Sequence, residues 1–373
     1  MQKKIIHFTI VIFIFSFWGC QQQNENTEIK SKLHLFESCL KYAEGQLERT
    51  VREVDNFSRF PRSTQPDGKW KLVNAKNWCA AFFPGSLWYM YEWTGDLKWR
   101  EWAEKWTANL ESNKFRTDTH DVGFLIYCTF GNGYRLTGNE HYRDVLIQAA
   151  QSLAQRYNPT VGAIKSFDWR PEKFPMAIDV MMNLELLFWA AKNGGGQELY
   201  DIAVRHAETN MREIIREDGG TYHMIYFDDK TGEIERKDTF QGYGPETTWA
   251  RGHTWAIYGF SFCYRETGDK RFLNTAIRLA DYYLKNLPED HVPYWDFQAP
   301  ASQKEKESSA AAIAASALLQ LSDLVEETNL KKEYQKAVFD MLSSLCSEKY
   351  LSKGTENSSI LLHSVGHRPK TRE

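Results

Sequence analysis

The chain has 373 residues, of which 25% are charged, a net charge of −3, and 13 Trp with 18 Tyr. That length can bury one large core, and with no Pro/Gly/Ser-rich linker to divide it we read a single folded domain. The acidic balance and the lack of a basic patch exclude nucleic-acid recognition by bulk charge.

The first element is a leader. MQKKIIHFTIVIFIFSFWGC begins with Lys3 and Lys4, continues as a short apolar run and reaches a small residue before Cys20. That pattern marks residues 1–19 as a secretory signal. The Gly19-Cys20 junction and the polar QQQNENTE after it match a bacterial lipoprotein signal. Cys20 would carry the lipid, 20–28 would be a tether, and 29–373 the folded domain. The address expected is the bacterial cell envelope, periplasmic or anchored to the outer membrane; the alternatives are an uncleaved anchor helix or a plain signal with a chance Cys. No later stretch approaches the ~18 apolar residues of a second span. Cys39, Cys79, Cys128, Cys263 and Cys346 are odd in number and lack CxxC spacing. They suggest neither a disulfide framework nor a zinc site. We expect most to be buried small hydrophobes, and we expect no metal or cofactor.

Helical periodicity then carries the chain. The spacing predicts helices over 29–53, 79–94, 97–112, 121–137, 140–157, 178–193, 197–215, 248–267, 270–287, 306–326 and 330–347. Three junctions repeat one plan: an aromatic-rich helix ends at Thr-Gly (Gly95, Gly138, Gly268) and Asp96, Asn139 or Asp269 starts the next. Glycine past a helix end suits a left-handed cap, and Asp or Asn suits the following N-cap. Helices starting near 79, 121, 178, 248 and 306 are apolar nearly all round; the others carry charge on one face. Inner and outer rings follow from that alternation, as an all-α (α/α)6 barrel. Eleven helices are one short, because the chain stops at LLHSVGHRPKTRE, where a last inner helix is expected to start.

The long loops, 54–78, 113–120, 158–177, 216–247, 288–305 and 348–373, fall at one end, where binding and catalysis usually sit. Trp78, His120, Asp121, Asp179, His223, Gln241, Arg251 and Trp255 share that end. Neighbouring acids in a dry site cannot both ionise easily, so Asp121 and Asp179 are candidates to divide acid and base roles. Plainer readings stand beside this one. Each Asp could be an N-cap, His120 and His223 ordinary hydrogen-bonded histidines, Trp78 and Trp255 core residues. Arg251 could pair with Glu246 or Glu185. Gly-x-Gly in GNGYRLTG follows a helix rather than a strand, so it is no phosphate loop, and HExxH, Walker A and GxSxG motifs are missing.

NWCAAFFPGSLWYMYEWTGD, THDVGFLIYCTFGNGYRLTG, AIDVMMNLELLFWA, TYHMIYFDDKTGEIERKDTFQGY, TWARGHTWAIYGF and LLHSVGHRP together resemble unsaturated glucuronyl hydrolases, glycoside hydrolase family 88, from about residue 35 to 368. The resemblance implies removal of a 4,5-unsaturated uronic acid from the non-reducing end of lyase-generated, glycosaminoglycan-type oligosaccharides. By resemblance, Asp179 is the general acid/base: it protonates C4 and draws a proton from water adding at C5. Asp121 would hold substrate and tune Asp179; Trp78, His120, His223, Gln241, Arg251 and Trp255 would contact substrate. That oligosaccharide is the one partner implied, with the membrane reached only through Cys20. Ser364, Arg368 and Lys370 are candidates to meet a sulfate. Two departures are Val180, where a polar residue is expected after Asp179, and WCAA, where a hydroxyl- and Gly-containing version is usual. The alternatives are an unsaturated rhamnogalacturonyl hydrolase acting on pectin fragments, a non-catalytic glycan-binding lipoprotein, and a hydrolase of saturated glycans. TWARGHTW favours the glucuronyl family.

Overall fold

The computed structural model describes residues 21–169 and 173–371; the leader and Cys20 lie outside the described residues. Helix α1 spans Gln21–Glu53, so residues 21–28, read above as a tether, are helical. Next come α2 (Phe82–Thr94), α3 (Leu97–Ala108), α4 (Val122–Ile126), α5 (Asn132–Thr137) and α6 (Glu140–Ala154). They are followed by α7 (Val180–Ala190), α8 (Gln197–Glu213), α9 (Ala250–Thr267), α10 (Lys270–Lys285), α11 (Ser308–Leu324) and α12 (Thr328–Leu345). The predicted helix over 121–137 is α4 and α5 joined by a π turn, Tyr127–Gly131.

The two classes of helix build two rings. The outer helices α3, α6, α8, α10 and α12 each pack on an inner one, while α4, α7, α9 and α11 pack in succession around the inside. Burial follows composition. Helix α9 is buried at every position from Ala250 to Ile257, whereas α10 buries one stripe, Phe272, Ala276, Leu279, Ala280 and Tyr283. A stripe at that spacing fits one wall; an all-round surface needs neighbours on both sides. After α12, the described residues hold a Leu351–Leu361 bridge and a short α13, Arg368–Thr371. No long helix stands there among the described residues, and α2 leaves Phe82 and Tyr89 exposed.

The two ends of the barrel are built differently. At one, Gly95, Gly138 and Gly268 are left-handed, with φ of 70°, 68° and 71°, and their N–H groups bond Tyr91, Tyr134 and Tyr264 carbonyls. Asp96, Asn139 and Asp269 cap the next helices by accepting from the N–H groups of Lys98, His141 and Arg271. At the other end the long loops carry strands that the helical reading does not include. They are β1 (Phe60–Thr64) with β2 (Trp70–Val73), and β3 (Tyr157–Asn158) with β4 (Ala163–Ile164). A three-stranded antiparallel sheet follows, β5 (Phe174–Ala177), β6 (Met224–Phe227) and β7 (Ile234–Asp238). Ala177 pairs with Met224, and the Ile178 N–H bonds the His223 carbonyl at 3.0 Å. The register of β5 on β6 therefore sets Asp179 beside His223.

Candidate active site

Asp121 and Asp179 precede the first residues of α4 and α7, and neither carboxylate bonds a backbone N–H of its own helix. The N-cap reading of these two residues does not hold. Asn183 does the capping work instead. Its Oδ1 accepts the Phe124 N–H at 2.8 Å, and its Nδ2 donates to the Asp179 carbonyl at 3.1 Å. One buried amide thus satisfies an orphan donor of α4 and ties it to the turn that bears Asp179. The helices meet closely enough that a Cβ on Gly123 would lie 2.5 Å from Asn183 Oδ1. Both carboxylates are left free of their own helices' N–H groups.

Each acid has a histidine at its side. His223 Nε2 lies 3.4 Å from Asp179 Oδ2, and His120 Nε2 lies 3.3 Å from Asp121 Oδ1. Asp121 also accepts from the Thr119 hydroxyl at 2.9 Å. His120 and His223 are buried, as is Asp179, which is 6% exposed. Burial pushes the Asp121 carboxyl above its ordinary value, against the opposing pull of His120 and Thr119. Burial pushes Asp179 up as well, but the contacts with His223 and His120 outweigh it and hold that carboxyl low. Of the two, Asp121 is the acid inclined to keep a proton. This reverses the resting arrangement that an Asp179 acid implies, and its cause is the polar surroundings of Asp179.

The aromatic wall holds Trp78 and Trp255 of the sequence-predicted set, and adds Phe124 and Trp249, which that set lacks. Trp78, Phe124, Trp249 and Trp255 form one cluster, with Trp78 6.3 Å from Trp255 and Trp249 5.3 Å from Trp255 between ring centres. The guanidinium of Arg251 sits 4.6 Å over Trp249 and 5.7 Å over Trp255, so Arg251 and Trp255 do share one face of α9.

Arg251 pairs with neither Glu246 nor Glu185. Its partner is the fully buried Glu307, at 3.0 Å, and it also donates to the carbonyls of Val365 (2.7 Å) and Gly366 (3.0 Å). Glu185 is taken by Arg265 instead. Glu307 accepts the Val365 N–H at 3.0 Å and the hydroxyls of Ser309 and Ser364. Gln241 Nε2 reaches the Gly366 carbonyl at 3.3 Å, and Arg368 pairs with Glu305 at 2.7 Å. Residues 363–368 are thereby strapped across the site by the very side chains read as substrate contacts. Arg251 Nε alone has no partner.

All eight predicted site residues come to this end of the barrel. Ser364 and Arg368 lie in the strap, engaged with Glu307 and Glu305; the side chain of Lys370 lies outside the described residues. The residues missed are Asn183, Glu307, Thr239 and Ser166, the last two through their bonds to His223 and His120. A signal existed for Asn183, a lone amide one turn after Asp179 in an otherwise apolar helix. Glu307 carried a similar one, as an acid opening a helix of small residues. The five cysteines are free, but only Cys263 is buried; Cys39, Cys79, Cys128 and Cys346 are half-buried.

Residues 49–368 match the family model described as Glycosyl Hydrolase Family 88. An unsaturated glucuronyl hydrolase of Formosa agariphila is 38% identical over 380 residues, covering 100% of this chain and 94% of that one. The crystal structure of an unsaturated glucuronyl hydrolase specific for heparin superposes with a TM-score of 0.86 at 39% identity, covering 90% of each chain. A Streptococcus agalactiae unsaturated glucuronyl hydrolase mutant, complexed with dGlcA-GalNAc6S, gives 0.78 at 28% identity, covering 91% of this chain and 86% of that one.

Proposed function

The chain belongs to glycosyl hydrolase family 88, an enzyme that removes unsaturated uronic acid from oligosaccharides, and we propose that Asp179 carries the chemistry with Asp121 as its partner. The observation that carries this reading is the pair of uncapped, buried-rim aspartates, each flanked by a histidine under a tryptophan wall. Asp179 delivers a proton to C4 of the enol ether while water adds at C5 and returns a proton to the same carboxyl. The resulting hemiketal opens and releases the remaining sugar. Asp179 is held low by His223 and His120, and it acquires its proton when the uronate seats. A second carboxylate nearby and the loss of water both raise its affinity for a proton.

We assign glycosaminoglycan disaccharides as the substrate class, on the similarity to enzymes described with heparin and with dGlcA-GalNAc6S. The test is a panel of lyase-generated disaccharides from heparin, chondroitin and pectin, followed by loss of near-ultraviolet absorbance of the C4=C5 bond. Turnover confined to the pectin products would move the chain to the rhamnogalacturonyl reading. Binding without absorbance loss would make it a glycan-binding protein. We also infer lipidation at Cys20 and an envelope location from the leader's pattern; labelling with a radioactive fatty acid, lost in Cys20→Ser, tests both.

A further inference from the structure

The two histidine–aspartate pairs are tautomeric opposites. His223 Nδ1 accepts from two backbone N–H groups, Phe240 and Gln241, each at 3.1 Å, with the Thr239 hydroxyl 3.2 Å away. Thr239 Oγ1 accepts from the Gly242 N–H at 2.8 Å and can still donate to the imidazole. A proton on Nδ1 would collide with two N–H donors, so the ring proton of His223 stands on Nε2, the nitrogen 3.4 Å from Asp179 Oδ2. His120 is the reverse. Its Nδ1 lies 2.9 Å from the Ser166 carbonyl, which can only accept, so Nδ1 bears a proton. A neutral His120 then leaves its Nε2 bare, buried and without a hydrogen-bond partner, 3.3 Å from Asp121 Oδ1. A buried polar atom left so beside a carboxylate is costly unless a proton stands on one of the two groups.

We propose that His120 and Asp121 hold one shared proton in the resting site, and that this proton is the one handed to Asp179 when substrate binds. The proposal rests on the reading of Asp179 as the acid/base. In the resting state the 120–121 pair is protonated and Asp179 is a carboxylate with His223 Nε2 3.4 Å away. As the uronate enters, its charge makes the Asp179 anion costly, while sugar hydroxyls donate to Asp121 and favour its anion. The proton moves, giving Asp121 carboxylate, neutral His120 and Asp179 carboxylic acid. That proton goes to C4, the hydroxyl of water bonds C5, and the second proton of water returns to Asp179 and then to the pair as product leaves. Nothing is oxidised or reduced, and the site's proton count is restored.

His120 is a positioning residue here, since it is buried behind Asp121. The other titratable groups with electrostatic influence on the pair are Arg116 and Asp179 on Asp121, and Asp121 in turn on Cys79. On α8, His206 feels His120 and is pushed down to about 3, mainly by burial, so it stays neutral. Raised proton affinity at Asp121 agrees with the geometry.

The experiment uses the whole chain with 15N-labelled histidine, observed by NMR from about pH 5 to 9. His223 at neutral pH should carry its proton on Nε2 and none on Nδ1. His120 should keep Nδ1 protonated throughout while its other nitrogen titrates together with Asp121. In Asp121→Asn, His120 should become neutral with a bare Nε2 at every pH. A His120 protonated on Nε2 only, or a His223 carrying a proton on Nδ1, overturns the proposal. The kinetic arm is His120→Asn, whose amide can still donate to the Ser166 carbonyl but cannot store a proton. Its kcat at neutral pH should fall about 100-fold with KM little changed, and its alkaline limb should move to lower pH. A uniform loss at all pH values means a purely structural role for His120 and overturns the proposal. Should the native chain leave the alkene untouched, the functional reading fails while the NMR arm still decides where the proton sits.

Discussion

The two ends of this barrel place the same residue type at the same helical position and use it in opposite ways. At the Thr-Gly end, Asp96 and Asp269 turn inward on their own helices and accept a backbone N–H at 3.0 and 2.9 Å. At the loop end, Asp121 and Asp179 hold the equivalent position and cap nothing. A cap spends its oxygen on the fold; a reactive carboxyl has to keep it. At α4 the difference is made by Asn183, which takes over the donor that Asp121 would otherwise meet. An aspartate before a helix is therefore read by who else fills the helix's first N–H groups.

Substitution breaks or sharpens that contrast, and the largest effect belongs to the loop end. Asp179→Asn should lower turnover of the unsaturated disaccharide by at least about 10²–10⁴-fold, with only a small drop in melting temperature at neutral pH, since His223 and His120 favour the carboxylate. A matching loss of stability would mean that Asp179 is structural after all. Glu307→Ala should come next. It strands the buried Arg251 and unpins the strap, at a cost of about 3–5 kcal/mol by denaturant titration, with KM raised more than kcat is lowered. At the opposite end, Asp269→Ala should cost about 1 kcal/mol of stability and leave kcat and KM as they were. The smallest effect is one of pH. Asp121 is held above 3.8 in the native chain, so the folded state keeps a proton that the unfolded chain releases. Its contribution to stability is full below 3.8 and falls as pH rises through the raised value; Asp121→Asn should flatten that part of the stability curve. Asp179, held below 3.8, works the other way, and its contribution is lost as pH falls.

The scaffold was legible because its signals are local. Apolar spacing and Thr-Gly turns report on neighbours within one or two helical turns, and the eleven predicted helices recur, with 121–137 split by a π turn, α1 starting at Gln21 rather than residue 29, and the other ends displaced by a few residues. Cys79–Ala81, for instance, precede the start of α2 because they form turns that aim Trp78 at the cavity. The strands were not legible. Residues 174–177 pair with 224–227, fifty positions away, and four residues carry too little pattern to reveal it. Site membership was legible for Asp121, Asp179 and Arg251 through their shared place at inner-helix starts. Their partners were not, since the choice of Glu307 over Glu185 or Glu246 depends on how the ring closes in space.

The single amide of Asn183 has a wider consequence. It couples the two acids through helices, without help from any loop, so the spacing of the reactive pair is independent of what covers it. Residues 363–368 can then be exchanged like a reading head over a fixed drive. Transplanting that hexapeptide from relatives with different sugar preferences should alter which disaccharide is accepted while the bond-making step keeps its rate.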